Sequence, residues 1–284
     1  MVNPHVINTE QPLEVAQYVK VVFGKVWGDG SFPLLDRAFA DVTGMFEGRH
    51  PGYQAIDMEY HDYEHTLQAT LCLSHLLEGR ALTDDAPVLE VRDWELAVIA
   101  ALLHDTGFLK KTDDNIGTGA KYTFVHERRS CDFARVYLPQ LGLSPEEIKD
   151  VCSAIMCTGP RSKISEVVFR CEEARIMAYM LVTADYLSQI SAEDYLEKLP
   201  RLYAEFEESF VYNRIPPADR PYNSLRQLLE MTPGFWASYV LPVLNDKVGG
   251  VYRYLAPGGQ ANPYILAAEA NVAELARRLA AGEI

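Results

Sequence analysis

Three separated pieces of the chain carry imidazole and carboxylate in patterns that could hold a divalent cation: His65, the adjacent pair His104-Asp105, and Asp185. The pair closes a strongly apolar run, Leu96-Ala97-Val98-Ile99-Ala100-Ala101-Leu102-Leu103. A carboxylate taken out of water there without a partner would cost several kcal/mol. A divalent cation accepts histidine nitrogen and aspartate oxygen together. Asp185 repeats the situation within Ala178-Tyr179-Met180-Leu181-Val182-Thr183-Ala184, which also reads as a buried helix. In Tyr60-His61-Asp62-Tyr63-Glu64-His65 two histidines stand four apart, on one helix face and one turn from each other. Both could ligate, or one could ligate while the other reaches a substrate. Taken singly, each piece has a structural reading: surface histidines at a helix start, a helix-ending histidine favoured by the dipole, a buried aspartate bonded to a hydroxyl or an arginine. Three such coincidences in one chain are less economical than one metal site.

Helices must position all of these groups. Apolar residues at three- and four-residue spacings predict helices over Leu13 to Val26, Pro33 to Phe46 and His65 to Glu78. Asp93 is the expected N-cap of the apolar run to His104, with Gly107 as its stop. Ser144-Pro145-Glu146-Glu147 combines a capping serine, proline at the first position and a capping-box glutamate, and predicts a helix to about Cys157. Glu172 to Ile190 carries Asp185, and Ser191-Ala192-Glu193-Asp194 begins the next helix. Alternating strand patterns are lacking. Gly117-Thr118-Gly119 has no lysine-serine of a phosphate loop, so Thr112 to Lys121 reads as a connection over the site. The expected organisation is residues 1–54 as N-terminal helices packing on the core, 55–210 as the domain with the site, and 211–284 as a C-terminal helical extension. Ile215-Pro216-Pro217-Ala218-Asp219-Arg220-Pro221 sets that extension off, and Pro257-Gly258-Gly259 breaks it before a last helix to Leu279. Its aromatics Phe235, Trp236, Tyr239, Tyr252 and Tyr254 suit packing on the main domain, a homodimer contact, or a pocket wall.

The chain has 284 residues, 48% of them hydrophobic, which suffices for one large core. A net charge of −14 argues against a nucleic-acid polymer as partner. It leaves room for a small phosphate ester, because a metal can supply the local positive charge. No stretch approaches the roughly 18 consecutive apolar residues of a membrane span. Met1-Val2-Asn3-Pro4-His5 lacks the basic start and apolar run of a secretory signal, so a cytoplasmic location is expected. The five cysteines form no Cys-x-x-Cys, and Cys72, Cys131, Cys152 and Cys157 read as small buried residues. His5, His50 and His75 lack acidic or histidine company at ligand spacing and read as structural or surface residues.

A histidine, then His-Asp closing an apolar helix, then a distant aspartate on another helix resembles the HD-domain superfamily of metal-dependent phosphohydrolases. Tyr-His-x-x-x-His followed by Leu-Leu-His-Asp is most similar to its cyclic-nucleotide phosphodiesterase branch, over about residues 55 to 210. The resemblance implies an all-α HD-domain/PDEase-like helical bundle in which His65, His104, Asp105 and Asp185 bind one divalent metal. Mg²⁺ or Mn²⁺ is the first expectation, with Fe, Zn, Ni or Co as alternatives. It also implies that His61 faces the substrate as a general acid. Phosphoester hydrolysis needs a nucleophile, charge neutralisation and leaving-group protonation. A metal and a near-neutral imidazole can provide these, and Asp105, with two oxygens, could bridge to a second metal.

His126, in Val125-His126-Glu127-Arg128-Arg129, matches the third histidine of two-metal members. Those usually offer a further histidine before the last aspartate. Here that region reads Ala154-Ile155-Met156-Cys157-Thr158-Gly159, and no histidine follows His126. A second ion would rest on Asp105, His126 and waters. Many members carry Gly-Lys after His-Asp-x, where this chain has Gly107-Phe108; Lys110, Lys111, Arg128 or Arg129 could meet a phosphate instead. Gln189, one turn after Asp185, is not counted as a purine clamp. The expected function is a metal-dependent phosphohydrolase or phosphodiesterase acting on a small phosphorylated molecule such as a nucleotide or cyclic nucleotide. The alternative is a ligand-binding or signalling domain that keeps the metal and catalyses nothing.

Overall fold

The computed structural model describes residues 7–28, 30–159 and 162–284; His5 lies outside them. Among the described residues the chain is all-helical, with one isolated bridge between Tyr53 and Lys111. The helices are α1 (Pro12–Trp27), α2 (Pro33–Phe46), α3 (Tyr63–Ala81), α4 (Val91–Leu103), α5 (His126–Tyr137), α6 (Pro145–Ile155), α7 (Glu172–Ile190), α8 (Tyr195–Tyr212), α9 (Leu225–Phe235) and α10 (Pro263–Ala281).

Local chemistry accounts for the starts. Proline at the first turn opens α1, α2 and α6, where its missing N–H costs nothing. Ser144 and Glu147 close the capping box as their spacing predicts, at 2.7 Å and 3.3 Å. Asp93 is not the N-cap of α4. That helix begins earlier, with Glu90 as N-cap and Asp93 completing the box by accepting the Glu90 N–H at 2.8 Å. The extra turn places Trp94 inside the first part of the helix, packed edge-on against Phe23 and Trp27 of α1. Burial of a large aromatic contributes several kcal/mol at most, but more than the choice between two acidic caps.

α3 is the hub. It packs on α1, α4, α7 and the short turn Val251–Leu255. Every residue of α4 from Leu96 to Leu103 is buried, as is most of α7. A helix apolar all round belongs in an interior. The core is continuous: it joins Val15 and Phe39 near the N-terminus, Leu102 and Leu181 at the centre, and Leu228, Trp236, Tyr254 and Leu275 from the 211–284 segment. Of the latter, the Val251–Leu255 turn packs on α3 and α7 and α10 packs on α7, while α9 packs on α8 and α10. Cys72, Cys131, Cys152 and Cys157 are buried thiols. No helix among the described residues is long and apolar enough to cross a membrane.

Candidate metal centre

The three most enclosed helices each deliver a donor to one point. α3 presents His65 one turn from its start, where Asp62 caps it by accepting the His65 N–H at 2.9 Å. α7 presents Asp185. α4 stops at Leu103, His104 continues the helical turn, and Asp105 steps out to φ −103°, ψ 4°. That bend lets two neighbours, which would diverge on a helix, face the same place. Ser130 of α5 pins it: its Oγ accepts the Gly107 N–H at 2.8 Å and donates to the His104 carbonyl at 2.5 Å. Gly107 has no room for a side chain, since a Cβ would come within 1.9 Å of the His126 carbonyl oxygen. The His-Asp turn thus lies directly on the start of α5.

His65 Nε2 stands 3.2 Å from Asp105 Oδ2, 3.3 Å from Asp185 Oδ1 and 3.3 Å from His104 Nε2. His104 Nε2 stands 3.4 Å from Asp105 Oδ2 and 3.8 Å from Asp185 Oδ1. Donors about 2.1 Å from a shared ion, at tetrahedral or octahedral angles, lie about 3.0–3.4 Å apart; most of these separations fall there. All four residues are buried. His65, His104 and Asp185 form a group able to hold a metal ion.

Two further observations test the fit. Asp105 Oδ2 is buried with no hydrogen-bond partner despite the two imidazoles beside it, and a naked carboxylate oxygen is costly. An ion among the four donors would satisfy it. The orientation of the imidazoles agrees. His104 donates from Nδ1 to the Ala101 carbonyl at 2.7 Å, and His126 from Nδ1 to the Thr123 carbonyl at 2.9 Å. Each leaves a bare Nε2 toward the centre, the arrangement that metal-binding histidines use. His65 Nδ1, by contrast, is buried without a partner.

The charges are strongly linked. Burial opposes protonation of His65, but the Asp105 and Asp185 carboxylates outweigh it and lift its pKa to about 10. Burial likewise opposes ionisation of Asp105 and Asp185. The neighbouring imidazoles prevail and hold Asp105 well below the usual carboxylate range, and Asp185 below its ordinary value. The pocket stabilises a positive charge between two carboxylates, whether a proton or an ion carries it.

His126 Nε2 approaches the other oxygen of Asp105, Oδ1, at 3.6 Å. Asp105 therefore faces three imidazoles. His61 stands beside the cluster, its ring 5.6 Å from that of His65. Phe108 is stacked between His61, at 5.0 Å, and His126, at 4.4 Å, and fixes both ring planes.

The cationic candidates behave differently. Lys110 pairs with Asp57 at 2.7 Å and donates to the Gly117 carbonyl at 2.7 Å. Lys111 and Arg128 are exposed. Arg129 donates to the carbonyls of Gly107 and Leu109. Among the described residues no ion pair joins these four side chains to the cluster. The loop from Thr112 to Lys121 is tied down by Lys121 and Tyr122 on Asp114 and by Thr118 on Glu208.

Two residues that sequence reasoning passed over organise the site. Glu205 of α8 accepts the backbone N–H groups of Glu59, Tyr60 and His61 on one oxygen, and its other oxygen lies 2.6 Å from His61 Nδ1. Burial works against protonation of His61, and Glu205 more than compensates, so its pKa is raised. Gln189 donates to Asp185 Oδ1 at 2.7 Å and accepts from the Tyr60 hydroxyl at 2.7 Å. Its spacing after Asp185 was the available signal; Glu205, in the acidic run Glu205-Phe206-Glu207-Glu208, offered none.

Comparisons with protein-family models, curated proteins and solved structures give no match to this chain.

Proposed function

We propose that the protein is a divalent-metal-dependent phosphohydrolase acting on a small phosphorylated molecule. The observation that carries this reading is the convergence of His65, His104, Asp105 and Asp185 around a buried carboxylate oxygen with no partner. These four would hold the ion, and Asp105 Oδ1 with His126 could share a second. When bound, the metal supplies acidified water and positive charge for phosphoryl oxygens.

The chain's own residues supply the rest. Glu205 holds the Nδ1 proton of His61 and so aims Nε2 away from α8. Glu205 raises the His61 pKa against the effect of burial, which favours the protonated ring that can donate to a departing alkoxide. Phe108 keeps the ring in place and shields it from water. Gln189 holds Asp185 and borrows its own orientation from Tyr60.

Lys110 is committed to Asp57, and this favours a second reading, a metal-holding binding domain without turnover. Hydrolysis assays separate the two. Protein reconstituted with Mn²⁺ or Mg²⁺ is expected to cleave simple phosphate mono- or diesters, with the activity lost to chelation and restored by metal. Metal-loaded protein that binds phosphate esters without hydrolysing any would leave the binding reading.

A further inference from the structure

A cavity of about 780 Å³ opens beside the cluster, within the range of small-molecule sites. His61 and Gln189 belong both to its lining and to the cluster's surroundings, so the cavity abuts the donor cluster at one end. Its body runs between α7, α8 and α9. The walls are mainly carbon: Tyr186, Tyr195, Phe206, Phe210, Tyr222 and Phe235. Met231, Phe235 and Tyr239 also line it and remain partly exposed to solvent.

The charged groups are as informative. Among the described residues no lysine or arginine lines this cavity, and Asp219 is its one carboxylate. A polyphosphate or sugar phosphate would find no counter-charge away from the cluster. Several polar side chains on the wall are already engaged within the protein: Tyr60 with Gln189, Gln189 with Asp185, and Thr232 with the Leu228 carbonyl at 2.9 Å. The other polar groups of the wall are the hydroxyls of Tyr186, Tyr195, Tyr222, Ser238 and Tyr239. Beyond the engaged Gln189, no amide side chain among the described residues lines the cavity to read the edge of a nucleobase.

We propose that the substrate is a monophosphorylated molecule with a bulky, uncharged apolar group, the phosphate lying at the donor cluster and the apolar group filling the cavity. This rests on the phosphohydrolase reading and narrows it. It also gives the 211–284 segment a role, since α9 and the turn after it build the outer wall.

The test begins with binding, which needs no turnover. Calorimetry on the Mn²⁺-loaded protein compares ethylphosphonate with octylphosphonate. The octyl compound is expected to bind at least about tenfold more tightly, since its longer chain takes more apolar surface out of water. Phe235→Asp, at a partly exposed position, should shrink that ratio. Equal affinity for the two phosphonates, or a ratio unchanged by Phe235→Asp, would overturn the proposal. Turnover then compares ethyl phosphate, octyl phosphate and adenosine 5′-monophosphate, all esters of primary alcohols. A higher kcat/KM for the octyl ester supports the proposal, and a preference for the nucleotide contradicts it. No hydrolysis of any ester, with octylphosphonate bound tightly, would sink the phosphohydrolase reading while leaving the apolar ligand in place.

Discussion

His65 and His75 lie on the same helix, are both buried, and titrate in opposite directions. His75 sits between α1 and α10, with Nδ1 2.8 Å from the Tyr264 hydroxyl and Nε2 3.1 Å from the Tyr18 hydroxyl. Burial pushes its pKa down to about 3, helped by Lys25. Burial acts on His65 in the same sense, yet Asp105 and Asp185 carry it up to about 10. Being inside does not set how a histidine titrates; the carboxylates brought to it do. On α3, His65 favours positive charge among acids, while His75 favours the neutral ring and joins α3 to α1 and α10.

The largest effect that would sharpen this contrast concerns His61, just before the start of α3. His61→Ala should lower turnover by about 10²–10⁴-fold while the metal content stays unchanged; equal loss of metal would make His61 a ligand. Next is the turn that brings Asp105 to the helix. Gly107→Ala drives a methyl into the His126 carbonyl and should destabilise the fold by about 3 kcal/mol in denaturant unfolding. A neutral result would mean that α5 does not rest on the turn.

The neutral histidine is tested by pH. The folded pKa of His75 lies below its unfolded value, so the unfolded chain binds the extra proton. Its contribution to stability is complete above about pH 6.5 and is lost progressively as pH falls toward about 3. On metal-free protein, the step from about pH 6.5 to 5 should remove about 2 kcal/mol that His75→Gln does not lose. Parallel stability curves for the two proteins would place His75 in a polar setting after all. The smallest effect falls on Glu205: Glu205→Gln, which keeps a hydrogen-bonding group beside His61, should reduce turnover about tenfold with metal retained.

Much of this was legible in the residues. The long helices announced themselves because their faces are apolar at helical spacing, and the Ser144 capping box was read to the residue. The convergence of His65, His104 and Asp185 was legible because acids and histidines inside apolar runs need a partner. What escaped was set by packing between distant segments. The start of α4 depends on Trp94 meeting α1, which outweighs a cap preference. Glu205 reaches His61 across about half of the chain from a helix that looks merely acidic. Lys110 is committed by Asp57, a partner more than fifty residues earlier in the chain that its own neighbours do not reveal. The cavity is made by α7, α8 and α9 together, and no single helix of the three carries its signature.

The central claim is that Asp105, buried and unpartnered at Oδ2, completes a metal centre on α3, α4 and α7. It is tested most directly by metal analysis of the purified protein after incubation with Mn²⁺ and gel filtration, beside the Asp105→Ala variant checked for native helix content. The account predicts at least one ion per chain in the wild type and almost none in folded Asp105→Ala. A wild type that stays metal-free, or a variant that holds as much metal as the wild type, would contradict it.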